Sequence, residues 1–328
     1  MLSLRRGRVT AVVEQLPELV RLEVDGRPCV AYPRLTGPVE AGDDVLVNVQ
    51  AVELGLGSGG FDVLHANLTR GLDLSPVAGA HVMTLPYTPL QAAVVHVEET
   101  DDLAASLDGM PVVCCTLHSQ LAPVCAGLGP GLRVVYIQLP GGALPVSLSD
   151  TVRALKERGL LEVAVACGPC VDGDLQAVNV ASALAWSAGQ GFDATVCGVG
   201  PGIVGTGTRL GHGAVAASQA ATAALALGGT PILAPRLSVM DTRERHSGVS
   251  HHTRAVLDLC PPGDVVVAWP AGLRAPTWLE ITQQVDVAGL EDACAGLPLD
   301  HMGRGLAEDR RFFAAAFAAG RLAGALAA

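Results

Sequence analysis

The sequence predicts an α/β protein of two domains, in which a small β-barrel precedes a larger domain with a mostly parallel sheet. Three observations lead to this fold class. The 328 residues exceed the length of one average domain. Residues 6–67 form short alternating segments without a helical period, and beyond them apolar runs alternate with helical patterns. We therefore place the barrel at residues 1–72 and the α/β domain at residues 73–328.

The first domain consists of short strands separated by turns. Strand patterns occupy residues 7–13, 19–24 and 44–49, and Asp25-Gly26 is a dipeptide typical of tight hairpins. This spacing is typical of small barrels such as the oligonucleotide-binding (OB) and SH3-like folds. These folds serve many functions, so the barrel by itself indicates none.

The second domain alternates strands with helices. Its apolar strand patterns lie at residues 110–117, 133–139, 162–167, 193–199, 231–237 and 264–269. Helical patterns lie at residues 119–128, 149–158, 175–188 and 213–227. This alternation predicts a Rossmann-like fold of three layers, with helices on both faces of a parallel sheet. Ligands of such folds bind outside the carboxyl ends of the strands, so the loops there are the candidate site segments.

The charge balance argues against nucleic-acid binding. The chain carries 32 acidic and 21 basic residues, a net charge of −11, and Lys156 is its single lysine. Neutralising a phosphate backbone requires a basic face, and the balance here has the opposite sign. A small anionic molecule bound by a few arginines is compatible with this composition.

Hydropathy predicts a cytoplasmic protein without a membrane span. Residues 1–14 lack the apolar stretch of a signal peptide, and polar residues interrupt the most apolar helix, at residues 214–227. Nine cysteines in such a chain are expected to be reduced thiols. The low share of charged residues, 16%, predicts apolar surface buried between subunits of a homo-oligomer, most simply a dimer.

A glycine-rich loop follows the strand at residues 193–199. Gly200, Gly202 and Gly205 have the spacing of a dinucleotide-binding loop, in which backbone N–H groups approach an anion closely. The next acid is Asp241, too distant to bind a ribose, which argues against NAD or FAD. A phosphate or carboxylate cradle and a purely structural turn both stay open. The candidate ligand-binding residues in the glycine-containing loops are Gly141, Gly142, Gly200, Gly202, Gly205, Thr206, Gly207 and Thr208.

A second polar segment, residues 241–253, combines arginines with histidines. Ser250 is a candidate N-cap, which would place His251 and His252 in a first helical turn, where the helix dipole favours neutral imidazole. Because adjacent helical side chains diverge by about 100°, we expect only one of the two to share a site with His246. A divalent metal site, an anion site and a structural role stay open. The candidates are Arg243, Arg245, Ser250 and His251 for ligand binding, and His246 and His252 for catalysis.

Two further strand ends carry polar side chains. Asp172 and Asp174 flank a glycine, and Asn179 is predicted one turn into the following helix. Such groups either bind Mg²⁺ or a substrate hydroxyl, or cap the helix. His118 ends another strand, where it could act as a general base or be hydrogen-bonded at the surface.

A dithiol sequence, Cys167-Gly-Pro-Cys170, copies the spacing of thioredoxin-like proteins. In those proteins a helix N-terminus lowers the pKa of the first thiol. Here a polar segment separates the cysteines from the next helix, so redox chemistry is not expected.

Several motifs together resemble the bacterial family called domain of unknown function 3866. They are Gly55-Leu-Gly-Ser-Gly-Gly60, Tyr87-Thr-Pro-Leu-Gln, Gly141-Gly-Ala-Leu-Pro, Gly173-Asp-Leu-Gln-Ala-Val, Gly200-Pro-Gly-Ile-Val-Gly-Thr-Gly-Thr and Arg245-His-Ser-Gly-Val-Ser-His-His. The resemblance covers nearly the whole chain and implies a shared fold and a bacterial cytoplasmic setting. It implies no activity, and the dithiol is not part of its pattern.

The function expected from the residues is binding of an anionic small molecule, phosphorylated or nucleotide-like, at the carboxyl edge of the sheet. Such binding is compatible with a hydrolase or a transferase, and whether the chain is an enzyme stays open. The alternatives are a non-catalytic module that senses a metabolite or binds a partner, and an oligomeric scaffold.

Overall fold

The structure is a computed structural model that describes residues 2–56, 59–72, 74–75, 77–279 and 281–328. Gly57 and Ser58 of the first family motif, and Asp73 at the start of the predicted second domain, lie outside the described residues. The chain forms two compact units, Met1–Val94 and Val95–Ala328.

The first unit contains a closed barrel of five strands. They are β1 (Leu4–Gln15), β2 (Val20–Val24), β3 (Arg27–Ala31), β4 (Asp44–Asn48) and β5 (Asp62–Asn67), with short helices α1 (Pro33–Thr36) and α2 (Gln50–Glu53). The strand order is β1-β2-β3-β5-β4, and β4 pairs back to β1. Among the described strands of this barrel, β3 and β5 pair in parallel and the other neighbours pair antiparallel. Five strands closed in this way confirm the small OB-like barrel expected from the sequence.

The hairpin between β2 and β3 turns at the predicted dipeptide. Val24 pairs with Arg27 across Asp25 and Gly26, whose φ angles are 51° and 72°. Positive φ at both central positions is the conformation that such dipeptides favour in hairpins. A second hairpin, β6 (Val82–Thr84) with β7 (Ala92–Val94), completes this unit.

The second unit is built on an eight-stranded sheet. Its strands are β8 (Pro111–Cys115), β9 (Val134–Leu139), β10 (Val163–Cys167), β11 (Leu175–Ala177), β12 (Ala194–Val199), β13 (Thr230–Ala234), β16 (Val266–Pro270) and β17 (Thr282–Val285). Their order is β11-β10-β9-β12-β8-β13-β16-β17, and every neighbouring pair is parallel. A small ladder, β14 (Leu237–Ser238) with β15 (Gly248–Val249), lies beyond the end of β13.

Helices cover both faces of this sheet, as predicted. They are α3 (Val97–Thr100), α4 (Leu121–Leu128), α5 (Asp150–Glu157), α6 (Val180–Gly189), α7 (Ala216–Ala226), α8 (His251–Asp258), α9 (Leu290–Cys294) and α10 (Arg310–Ala327). Alternate side chains of each strand point to opposite faces. Val113 therefore belongs to the core under α4, α5, α9 and α10, and Val112 belongs to the core under α6, α7 and α8.

Three element predictions require correction. The helix predicted at residues 175–188 begins only at Val180, because Asp172 turns the chain with φ of 60° and Leu175 then pairs with Val165 as a strand. The strand predicted at residues 231–237 ends at Ala234. The sequence also missed β17, a short strand at the edge of the sheet whose polar residues carry a weak strand pattern.

Within the described part of the chain, no helix is both long enough and apolar enough to cross a membrane.

Helix α10 packs against α4 so closely that glycine is required at the crossing. A Cβ added to Gly320 would lie 2.0 Å from the carbonyl oxygen of Val124, and one added to Gly127 would lie 2.3 Å from that of Phe317. Backbone atoms cannot move aside cheaply. This crossing holds the N-terminal end of α10 over the carboxyl edge of the sheet.

The Gly320→Ala variant should therefore be destabilised by about 2 kcal/mol, because the added methyl forces the two helices apart. Alanine normally stabilises a helix relative to glycine by up to about 1 kcal/mol, so the sign of the effect tests the packing. Chemical denaturation measures it. Gly207→Ala, where a Cβ would meet nothing within 4 Å, is the control and should change stability by less than about 0.5 kcal/mol. A neutral or stabilising Gly320→Ala would contradict the close crossing.

Candidate functional site

The candidate site lies at the carboxyl ends of β8, β12 and β13. Strands β8 and β12 are neighbours, but the chain leaves β8 towards α4 on one face and leaves β12 towards α7 on the other. Connections that diverge in this way open a crevice at the sheet edge, which is the usual ligand position in open α/β folds. The loops around it carry a dense group of arginine and histidine side chains.

Gln120 fixes the floor of this region. Its buried side chain accepts hydrogen bonds from the backbone N–H groups of Thr116 and Leu117, and it donates one to the carbonyl oxygen of Ala234. It thereby ties the end of β8 to the end of β13. The next polar residue after β13 is Arg236, whose backbone N–H donates to the hydroxyl of Thr253.

Three arginines converge on the carboxylate of Asp241. Arg236 Nη2 donates to Oδ2 over 3.1 Å, and Arg243 forms a fork through Nε and Nη2 with distances of 2.9 and 2.7 Å. Arg304 Nη2 lies 3.9 Å from the same Oδ2. Arg236 is only 2% exposed, so its charge is deeply buried. The arginines hold the pKa of the Asp241 carboxyl far below its usual range.

Four histidines form a cluster beside these charges. His212 stacks on His252 with ring centroids 4.0 Å apart, and His251 lies 5.0 Å from His212 and 4.5 Å from His252. His246 is 4.9 Å from both His251 and His252. Arg236 Nη1 lies 3.3 Å from His252 Nδ1 and so joins the cluster to the arginines. This group of four side chains is called the histidine cluster below.

The expectation that only one of His251 and His252 shares a site with His246 is wrong. Ser250 caps α8, as predicted, by accepting a hydrogen bond from the backbone N–H of His252. The segment before it folds back over the first helical turn, so His246 faces both diverging rings. Its Nδ1 lies 2.7 Å from the Ser250 hydroxyl.

The hydrogen bonds assign the proton positions of two of the rings. The Nε2 of His212 lies 2.9 Å from the carbonyl oxygen of Arg209, so Nε2 donates and Nδ1 carries a lone pair. The contact with Arg236 makes His252 Nδ1 an acceptor and puts its proton on Nε2. The Ser250 hydroxyl can donate to His246 Nδ1 or accept from it, so this contact fits either tautomer of His246. These assignments follow from the partners, because hydrogens are not observed.

Burial keeps the histidine cluster neutral. It lowers the pKa of His246 to about 3 and that of His252 to about 2, and the positive charge of Arg236 adds to the effect. Burial is also the main cause that lowers the pKa values of His212 and His251. The helix position of His251 and His252 had suggested neutral rings, but desolvation is the larger cause.

The N-terminal end of α10 closes the other side of the site. Asp309 accepts hydrogen bonds from the Ser238 hydroxyl over 2.6 Å and from Arg304 Nε over 3.3 Å. His301 stacks on Phe312 with centroids 3.7 Å apart, and its Nδ1 lies 3.4 Å from the Ser119 hydroxyl. Three strand-end loops and one helix thus meet around the arginines.

Several buried polar atoms in this region have no hydrogen-bond partner among the described residues. They are His212 Nδ1, Arg236 Nε, His251 Nε2, His301 Nε2, Arg304 Nη2 and Asp309 Oδ1. Leaving such an atom unpaired costs about 1–3 kcal/mol, so a group of them in one place indicates a ligand or water position.

The glycines of the glycine-rich loop serve close backbone packing. A Cβ at Gly142 would lie 2.2 Å from the carbonyl oxygen of Gly200, and one at Gly213 would lie 1.9 Å from that of Gly141. The exposed part of the loop bonds to itself: the hydroxyls of Thr206 and Thr208 are 2.8 Å apart. Gly202 (φ 67°), Gly205 and Gly207 lie in the same loop, and Gly205 pairs with His212. The loop thereby positions His212 in the histidine cluster.

The remaining sequence candidates lie apart from the cluster or at its margin. Asp174 accepts from the backbone N–H of Ala164 and pairs with Lys156. Asp172 accepts from Ser147, and Asn179 is the N-cap of α6 rather than a residue inside it. These three follow β10, which β9, β12 and β8 separate from β13. The exposed Arg245 contributes its charge to the lowered pKa of His251.

His118 has a structural partner at the crevice. Its Nε2 lies 2.7 Å from the hydroxyl of Ser149, which caps α5. Burial lowers the pKa of His118 to about 4.

The two thiols of the dithiol sequence are buried. Desolvation raises the pKa of Cys167 and of Cys170 to about 12, the opposite of what a redox dithiol needs. All nine cysteines are free and buried.

Sequence reasoning missed six of the residues that build the site. They are His212, Arg236, Asp241, His301, Arg304 and Asp309. His212 and Asp241 lie inside segments that the sequence analysis selected, so a search for every ionisable residue in those loops would have found them. Arg304 and Asp309 are brought in by tertiary packing and carry no local signal.

The Asp241→Asn variant should lose about 3 kcal/mol of unfolding free energy, because it leaves the buried Arg236 without a counter-charge. Urea unfolding of the two proteins measures the difference. Asp258→Asn, which breaks the exposed pair with Arg209, is the matched control and should cost less than about 1 kcal/mol. Equal effects at the two positions would show that Arg236 does not depend on Asp241.

The stability of the chain should fall in acid partly through His301. Burial, aided by Arg236 and Arg304, lowers the pKa of His301 to about 3. Between that pKa and the unfolded value of about 6.5, only the unfolded chain binds the proton, so the contribution is present above pH 6.5 and is lost as the pH falls. The stability gap between the wild type and His301→Gln should shrink by about 2 kcal/mol from pH 8 to pH 5. Denaturant titrations at both pH values test this, and a constant gap would contradict it.

Comparison with known proteins yields a family without an assigned activity. No curated protein matches the chain. The family described as protein of unknown function (DUF3866) matches residues 28–320, from the third strand of the barrel into α10. Since this match covers most of both units, the chain belongs to the DUF3866 family.

Proposed function

We propose that the chain binds an anionic small molecule, phosphorylated or nucleotide-like, at the carboxyl edge of its parallel sheet. The observation that carries this proposal is the excess of positive charge around the buried Arg236. Arg236, Arg243 and Arg304 face two carboxylates, those of Asp241 and Asp309, while the histidines are neutral. Three positive charges against two negative ones leave one positive charge for a ligand to neutralise.

Unused donors support the same proposal. Arg236 Nε and Arg304 Nη2 are buried without a hydrogen-bond partner. Guanidinium groups bind phosphate and carboxylate oxygens in fork geometry, and such charge-assisted bonds are the stronger ones. The Nε2–H group assigned to His252 adds a neutral donor in the same region.

Catalysis is the finer part of the proposal. A hydrolase or a transferase acting on the bound anion would need a proton donor or acceptor, and we propose His246 and His252 for this role. A module that only senses the metabolite would bind it without turnover. Assay of bound ligands for product separates the two functions.

The glycine-rich loop contributes to this proposal through His212, which belongs to the histidine cluster. Its threonine hydroxyls are engaged within the loop, and the glycines next to β9 and β12 pack on each other. A phosphate cradle built from Gly202, Gly205 and Gly207 stays a prediction.

We also propose a cellular location and an assembly state for the chain. Nine free, buried thiols fit a reducing compartment such as the cytoplasm. Apolar side chains exposed on the first unit, among them Val13, Leu54 and Leu56, would be covered in a homodimer.

Anion binding is tested by thermal unfolding of the full chain, in EDTA, with inorganic phosphate, ribose 5-phosphate and nucleoside mono- and triphosphates. A ligand at about 100 times its Kd should add about 2.7 kcal/mol of stability. Arg243→Ala should weaken binding about 10-fold or more, because a charge-assisted bond is lost. Arg243 is chosen because its side chain is 37% exposed, so its removal leaves Arg236 paired with Asp241.

Arg133→Ala is the matched control. Arg133 precedes β9 at the amino edge of the sheet, where it pairs with Glu162. It should bind every anion as the wild type does. If no anion stabilises the chain, or if the two variants bind equally, the site does not bind these molecules.

A further inference from the structure

We propose that His212, His251 and His252 form a binding site for a divalent transition-metal ion of the zinc class. Each of the three offers one ring nitrogen, and these nitrogens all lie within 4.8 Å of one another. Among the described residues, no other group of three histidine, cysteine or acidic side chains is this closely spaced. The proposal concerns a cation and does not rest on the proposed anion.

One ring nitrogen on each of two ligands has no hydrogen-bond partner among the described residues. His212 Nδ1 is buried and unpaired, while its Nε2 donates to the carbonyl oxygen of Arg209. This is the usual arrangement of a metal-binding histidine, whose second nitrogen is held by a carbonyl or carboxylate oxygen. His251 Nε2 is buried and also without a partner. A metal ion would satisfy both nitrogens at once.

His252 supplies the third nitrogen. Its Nδ1 faces Arg236 Nη1 at 3.3 Å, so the ring is oriented by a guanidinium that competes for its lone pair. An ion would bind His252 Nδ1 once the contact of this nitrogen with Arg236 Nη1 is broken. Arg236 then keeps its bond to Asp241 through Nη2, so its charge stays paired.

The three histidines of the proposed metal site are held in place by the backbone of two structural elements. His251 and His252 open α8, and Ser250 caps that helix. His212 precedes the turn that leads into α7, and Gly213 packs against the backbone of Gly141. Ligands fixed in this way lose little freedom when an ion binds.

The chemistry of the donors selects the ion. Three neutral imidazoles suit zinc, copper, nickel and cobalt, whereas magnesium and calcium prefer oxygen ligands. Burial lowers the pKa of all three rings, so they are in the ligating form at neutral pH. Three protein ligands leave a further position open, as in catalytic zinc sites. That position can accept water or an anionic group.

The test is a Co²⁺ titration of the untagged, metal-free full chain, followed by visible absorption and then by competition with Zn²⁺. We expect saturation at a single ion per chain and displacement by Zn²⁺. His212→Gln and His251→Gln should each weaken Co²⁺ binding by about 100-fold or more, because each removes a direct ligand. His96→Gln, at a buried histidine that caps α3 and is not part of the histidine cluster, is the control and should bind Co²⁺ as the wild type does.

Circular dichroism of the metal-free variants shows whether each is folded, and His251, which is half-buried, provides a variant that is tolerated if His212→Gln is not. No saturable Co²⁺ spectrum in the wild type would overturn the proposal, as would equal binding by His251→Gln and His96→Gln. Because the anion panel is measured in EDTA and the Co²⁺ titration without anions, each proposal can fail while the other stands.

Discussion

The bond between Arg236 and Asp241 is the interaction on which the candidate site depends. Moving a guanidinium and a carboxylate out of water costs several kcal/mol per ion, and only a close partner with further hydrogen bonds offsets this cost. Asp241 has those bonds, since Arg243 donates to both of its oxygens. Arg236 is buried directly after the end of β13. Folding therefore requires Asp241 to lie beside it at that position.

The same buried charge explains why so many histidines can lie together. Imidazolium ions at these distances would repel one another, and burial would make each more costly. Arg236 adds repulsion from inside the protein, so the rings stay neutral and pack through their faces, as His212 does on His252. The arginines therefore carry the positive charge of the site, and the neutral histidines offer nitrogen lone pairs. Anion binding and metal binding are properties of neighbouring but different groups.

Much of the fold could be predicted because its signals are local. The barrel hairpin follows from Asp25-Gly26, and the core strands follow from apolar runs such as that of β12. Predictions failed where a tertiary contact decided the structure: Leu175 lies in a helical pattern but pairs with β10. For the site, segment 241–253 was predictable because its residues are adjacent in sequence. His301 was not, because its position depends on α10, which is held by the glycine crossing with α4.

The glycine-rich loop illustrates how one sequence pattern can serve two different purposes. Glycine permits a backbone to approach an anion, but it equally permits a backbone to approach another backbone. At Gly142 and Gly200 the second use applies, since a Cβ on Gly142 would collide with the carbonyl oxygen of Gly200, and a Cβ on Gly200 with that of Ala143. This contact joins the loops that follow β9 and β12, and Val204 extends it by donating to the carbonyl oxygen of Gly141. The loop can then return at Gly205 to pair with His212. Its glycines therefore act on the site indirectly, by holding one histidine over the first turn of α8.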